Sequence, residues 1–208
     1  MLPAEIALVF FAASLALAVA PGPDNIFVLT QSAVHGRAVG LVVTLGLCTG
    51  LVVHTLAVAL GVAALFQASA LAFNVLKLVG AGYLLYLAWL AFRASAAHAD
   101  LGGAPALSLG RYYRRGIIMN VTNPKVSIFF LAFLPQFADP QRGSLTLQIV
   151  MLGALFIVAT ILVFGGVALL AGALGERFNR SVRAQRTMNW LAGTVFAALA
   201  LKLVSSQR

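Results

Sequence analysis

One carboxylate, Asp24, stands inside a long apolar stretch, directly after Pro21-Gly22-Pro23 and before Asn25. The two prolines and the glycine must interrupt a helix there, because proline removes a backbone donor and clashes with the preceding turn. Broken backbone hydrogen bonds and a charge are both costly in hydrocarbon, so they are expected together where protein lines a cavity that handles a solute. A carboxylate so placed can hold a proton in one state and a cationic group in another. It can also cap the half-helix that starts after Pro23.

A second polar group lies at Asn120, Thr122 and Asn123-Pro124-Lys125, again inside an apolar run. Lys125 could pair with Asp24, hold a solute's carboxylate, or tie two parts of the fold together as a structural ion pair. The amide groups freed after Pro23 carry partial positive charge that suits a carboxylate. The carbonyls freed before Pro21 suit an ammonium group or a water. With Asn25, Asn120, Thr122 and Asn123 as neutral partners, the set fits a zwitterion better than a bare metal ion or a large hydrophobic solute. A metal site would call for clustered His, Cys or carboxylates. His54, alone in mid-span, serves either as a proton relay or as a packed, hydrogen-bonded group. Lys77 can snorkel from a helix end. Phe129, Phe130 and Phe133 either wall a pocket or face lipid. The candidate pathway is thus Pro21, Gly22, Pro23, Asp24, Asn25, His54, Asn120, Thr122, Asn123, Pro124 and Lys125, with no catalytic or metal-binding set and no call for a cofactor.

The elements that must position these residues follow from composition. Of 208 residues, 62% are hydrophobic and 9% charged, which points to an all-α polytopic membrane protein. Six apolar runs are long enough to span, near 5–34, 39–65, 70–92, 114–137, 145–172 and 187–205. The net charge of +9 is spread along short connections, with no basic patch interleaved with aromatics that would suit nucleic acid. Anionic lipid head groups and topology account for it. Cys48 is the sole cysteine, so an intrachain disulfide is excluded. Ala18-Val19-Ala20 resembles a signal-peptide cleavage site, but the segment before it carries Glu5 and no Lys or Arg. It reads instead as the first half of a spanning helix.

Nine basic residues fall on one side: Arg37, Arg93, Arg111, Arg114, Arg115, Arg177, Arg180, Arg183 and Arg186. Arg142, Arg208 and Lys202 fall on the other. This places the first set in the cytoplasm and both termini outside. Tyr112 and Tyr113 read as interfacial anchors. Residues 93–113, rich in Ala, Gly and Ser, read as a cytoplasmic linker between two three-helix repeats, 1–92 and 114–208. Three spans per half is an odd number, so the second half must be inverted. Interrupted spans 1 and 4 at matching places are the sequence mark of a transporter's binding site. Gly36 with Gly40, and Gly46 with Gly50, have the small-xxx-small spacing that lets helices approach closely, within the chain or in a homodimer.

At these residues the chain resembles the LysE/RhtB family of amino-acid exporters. The resemblance is carried by Pro21-Gly22-Pro23-Asp24, Gly36-Arg37, Gly40, Gly46, Gly50 and Gly61. It continues in Asn123-Pro124-Lys125, Phe129-Phe130 and Leu134-Pro135-Gln136-Phe137. It covers essentially the whole chain. Many members carry Asn where Asp24 stands here. The resemblance implies efflux of amino acids or close derivatives across a bacterial inner membrane, with proton exchange as the driving force. The expected mechanism is alternating access of two inverted halves around a midplane site, with Asp24 deprotonated when substrate enters from the cytoplasm. Two other cargoes, a metal ion or an organic cation, stay open. A membrane-embedded lipid-modifying enzyme would need acid, base or nucleophile gathered at one interface, whereas His35, His54 and His98 are scattered. A non-catalytic scaffold would not need two costly breaks.

Overall fold

In the computed structural model, which describes residues 2–20, 22–68, 70–94 and 106–205, every regular element is a helix. Pro21, the linker residues 95–105 with His98 and Asp100, and Arg208 lie outside the described residues, as do the side chains of Glu176, Arg177 and Arg180. The first apolar run forms two helices, α1 (Ala4–Val19) and α2 (Pro23–His35), which meet at 60°. Pro23 opens α2 in the first turn, where its missing N–H leaves nothing unbonded. Then come α3 (Arg37–Ala68) and α4 (Ala70–Arg93).

The fourth run is also broken. α5 (Leu109–Thr122) ends at Asn123, and α6 (Pro124–Ile128) departs from it at 50°. The side chain of Asn123 caps the new helix by accepting from the Lys125 backbone N–H at 3.0 Å. α6 runs on into a π-helical turn, Phe129–Phe133, and a tighter 3-10 turn, Leu134–Phe137. Two long helices close the chain, α7 (Leu145–Arg180) and α8 (Val182–Ser205). Both interruptions therefore fall where the prolines require them.

Among the described residues, three helices are long and apolar enough to cross a membrane, within 37–61, 145–171 and 185–205. Each bent pair counts as one further span, giving up to five. The remaining run expected to span, 70–92, is the helix α4. The chain is a multi-pass, all-α membrane protein.

α3 is the central strut: it lies against α5 along one side and α7 along another, while α4 pairs with α8. Glycine makes the α3–α5 approach possible. A Cβ on Gly116 would sit 2.5 Å from the Val43 carbonyl oxygen, and one on Gly46 would strike the Tyr113 carbonyl. Gly40 likewise admits Ser32 and Ala168. Gly36 does not serve packing as its spacing suggested. It has open space around it and a φ of 90°, so it turns the chain between α2 and α3.

α5 starts at Leu109, earlier than the polarity of Arg111, Arg114 and Arg115 suggested. The reason is Tyr112. Rather than anchoring at an interface, it is 1% exposed, packed with Val28, Val39 and Val43, and its hydroxyl accepts from the Leu107 N–H at 3.2 Å. Its neighbour Tyr113 reaches the Thr49 hydroxyl at 2.8 Å. Buried Ser14, Ser32, Thr44 and Thr55 bond back to carbonyls of their own helices, so their hydroxyls cost little in an apolar interior.

Candidate functional site

The two breaks meet inside the molecule. Asp24, on the first turn of α2, is 3% exposed. One of its carboxylate oxygens accepts from the Asn120 side-chain amide at 3.3 Å, which joins α2 to the last turn of α5. His54 of α3 lies against the same place, with Nε2 3.2 Å from the Asn120 carbonyl oxygen and its ring 5.5 Å from that of Phe130. The close seating of Asn120 depends on Gly50, where a Cβ would lie 2.7 Å from the Asn120 side chain.

Lys125 occupies the other side of the junction. Its ammonium donates to the carbonyls of Leu17 at 3.2 Å and Ala20 at 3.0 Å. These are carbonyls at the end of α1, which lack intrahelical partners because the helix stops. The freed carbonyls do hold an ammonium group, and it belongs to the chain itself. No ion pair joins Lys125 to Asp24. Gly22 gives the lysine its room, since a Cβ there would sit 3.0 Å from Nζ. Asn25 assists at the same helix end by donating to the Ala18 carbonyl at 2.8 Å.

Each asparagine is oriented by a partner that accepts only one end of the amide. Asn120 must turn its NH2 to the carboxylate, Asn25 its NH2 to a carbonyl, and Asn123 its oxygen to an N–H. The opposite ends are then fixed as well. Four buried atoms at the junction have no close hydrogen-bond partner: Asp24 Oδ1, Asn25 Oδ1, Asn120 Oδ1 and Asn123 Nδ2, although the Asn123 side chain lies near enough to the Asp24 carboxylate to interact with it. Buried polar groups are nearly always bonded, so this cluster of three acceptors and one donor is where the junction can take up a water or another polar group.

The structure brings together Gly22, Asp24, Asn25, His54, Asn120, Asn123 and Lys125 from four helices. Pro23 and Pro124 are exposed and act through the breaks they impose. Thr122 is not part of the cluster: it is exposed and its hydroxyl bonds back to the Ile118 carbonyl at 2.8 Å. Helical rotation explains this, because Asn120 and Asn123 are three residues apart and share a face that Thr122 does not. The sequence reading missed the role of Gly50 in seating Asn120; its signal was the Gly46/Gly50 spacing, taken only as helix packing.

The family model for LysE type translocators matches residues 15–207. The chain is 35% identical over 191 residues to a homoserine/homoserine lactone efflux protein of Salmonella typhimurium, covering 92% of each chain. It is 31% identical to an uncharacterized membrane protein of Vibrio cholerae, over 96% of this chain and 97% of that one. A leucine efflux protein of Enterobacter sp. is 29% identical, over 89% and 88%. No solved structure matches it. Since the match runs through both interrupted spans and nearly the full length, the chain belongs to the LysE type translocator family.

Proposed function

We propose that the protein exports an amino acid or a close derivative from the cytoplasm by exchange for protons, using the junction of the two breaks as its site. The observation that carries this reading is the set of four buried polar atoms without a close hydrogen-bond partner between α2 and α5–α6. Three acceptors, one of them on a carboxylate, suit a substrate ammonium group. The N–H groups that open α2 suit its carboxylate. The efflux of homoserine, its lactone and leucine by relatives supports the same cargo class.

Coupling follows from having one carboxylate at this site. A substrate ammonium and a proton cannot both neutralise Asp24. Protonation from the outside therefore releases the substrate and favours return of the empty carrier. Alternating access of two inverted halves, 1–92 and 114–208 joined by the linker 93–113, supplies the motion. Helix pairing supports this division. If the bent spans, the pair α3 and α7, and the pair α4 and α8 are exchanged, two main pairings are preserved: α3 on α5 becomes α7 on α1–α2, and α4 on the fourth span becomes α8 on α1, while α2 on α3 has only a slight counterpart in the fourth span on α7. The same reading sets the protein in a bacterial inner membrane with both termini outside.

The test is flux from proteoliposomes loaded with labelled homoserine or leucine under an imposed pH gradient. Wild-type protein is expected to move substrate uphill, and Asp24→Asn to lose the response to the gradient while inserting normally. Undiminished uphill efflux by that variant would sink the coupling. The excess of acceptors over donors favours one second reading, an exporter of organic cations. It predicts that the methyl ester of leucine, which lacks the carboxylate, is carried as well as leucine.

A further inference from the structure

Away from the junction, where α1 begins and α8 ends, a cavity of about 290 Å³ opens between α1, the 3-10 turn Leu134–Phe137 and α8. Its lining includes one carboxylate, Glu5, and one ammonium, Lys202, on walls formed by Ile6, Val9, Phe133 and Phe137. The two opposite charges share this space without forming an ion pair with each other. Lys202 lies instead over the face of Phe137, its Nζ 4.5 Å from the ring centroid. A cavity with a separated positive and negative group and an aromatic wall is complementary to a small zwitterion bearing an apolar side chain.

This cavity is linked to the junction by aromatic rings in sequence. Phe137 packs on Phe133 at 4.9 Å, Phe133 on Phe129 at 4.8 Å, and Phe129 on Phe130 at 6.4 Å between centroids. Phe130 then meets His54, which touches Asn120. Phe129, Phe130 and Phe133 are fully buried, so the column is closed in this structure. The π-helical turn Phe129–Phe133 departs from regular helix just where the column runs. Such turns occur often at functional sites.

We propose that this cavity is a second substrate site, a release vestibule that receives the zwitterionic amino acid after the phenylalanine column parts. Glu5 takes its ammonium group, Lys202 its carboxylate, and Phe133 with Phe137 its side chain. The assignment rests on the carrier reading above for its cargo, but the site can be read without transport.

The experiment replaces buried Cys48 with Ser and introduces Val9→Cys at the exposed lip of the cavity, with Ile6→Cys as a second reporter. The rate of modification by a membrane-impermeant maleimide is measured in vesicles, with homoserine or leucine added to the same side. Leucine amide and 4-methylpentanoate, which each lack one charge, are the controls. The zwitterions are expected to slow labelling and the controls to act only at concentrations about fivefold higher, the scale of one exposed charge contact. Glu5→Gln and Lys202→Gln should each weaken protection by about the same factor. Protection that is absent, or unchanged in both variants, overturns the vestibule. Equal protection by 4-methylpentanoate also overturns it and makes the cavity an apolar groove. Efflux from the same vesicles separates the two claims. Protection without efflux spares this site and defeats the carrier, whereas efflux without protection does the reverse.

Discussion

Lys125 is the residue whose surroundings most change its meaning. A lysine inside an apolar run invites a search for an acidic partner, yet its ammonium is held by the Leu17 and Ala20 carbonyls. Those acceptors exist only because α1 ends there. Charged hydrogen bonds of this kind contribute about 1.5–3 kcal/mol together with the desolvation they offset, so Lys125→Ala should lower stability by about that amount. Gly22→Ala should also destabilise, since the added Cβ would lie 3.0 Å from Nζ. If glycine is required there to admit the lysine, its replacement should do little once Lys125 is gone. Thermal unfolding in detergent of both single variants and the double variant is therefore expected to show a coupling of about 1 kcal/mol. Strict additivity would mean that Gly22 serves the backbone turn and not the lysine. Asp24, Asn25, Asn120, Asn123 and Lys125 were all legible as polar residues stranded in apolar runs. The carbonyl partners were not, because any residue type supplies the same carbonyl and only the bend exposes it.

At the scale of elements, proline and glycine carry most of the readable information. Both broken spans were visible from Pro21, Pro23 and Pro124. Helix ends were less so, as α5 begins in a stretch of arginines because Tyr112 turns inward among valines. The π-helical turn at Phe129–Phe133 had no sequence mark beyond its aromatic content. Glycines within the helices differ sharply in what they do. Gly116→Ala would place a methyl 2.5 Å from the Val43 carbonyl, part of a backbone that cannot swing aside. α3 and α5 must then separate, at about 1–3 kcal/mol for an overpacked contact. Gly61 has open space around it, and Gly61→Ala should be neutral or stabilising by up to about 1 kcal/mol through helix propensity. A comparison of their melting temperatures checks the contrast. Equal effects would show that the α3–α5 contact does not depend on glycine.

For the whole molecule, side chains cannot fix direction in the membrane, because helices apolar on all sides give no inward face to read. Direction rests on where the arginines gather. Arg183 and Arg186 lie near the start of α8, while Arg142, paired with Asp139, lies at the opposite end, in the turn before α7. The orientation proposed above, by cytoplasmic enrichment of basic residues, sets the first pair inward and the Arg142 turn outward. Cys48 is buried, which leaves a low background for labelling introduced cysteines. Ser144→Cys and Thr187→Cys both replace exposed residues, one at each end. In intact cells an impermeant maleimide should modify Ser144→Cys readily, and Thr187→Cys only after the membrane is opened. The result bears on the transport direction as well as on topology. The cavity bounded by Glu5 and Lys202 lies at the same end as the Asp139–Arg142 turn, since α1 begins there and both the fourth span and α8 end there. Reversed accessibility would turn that cavity toward the cytoplasm, where it could only receive substrate for export and not release it.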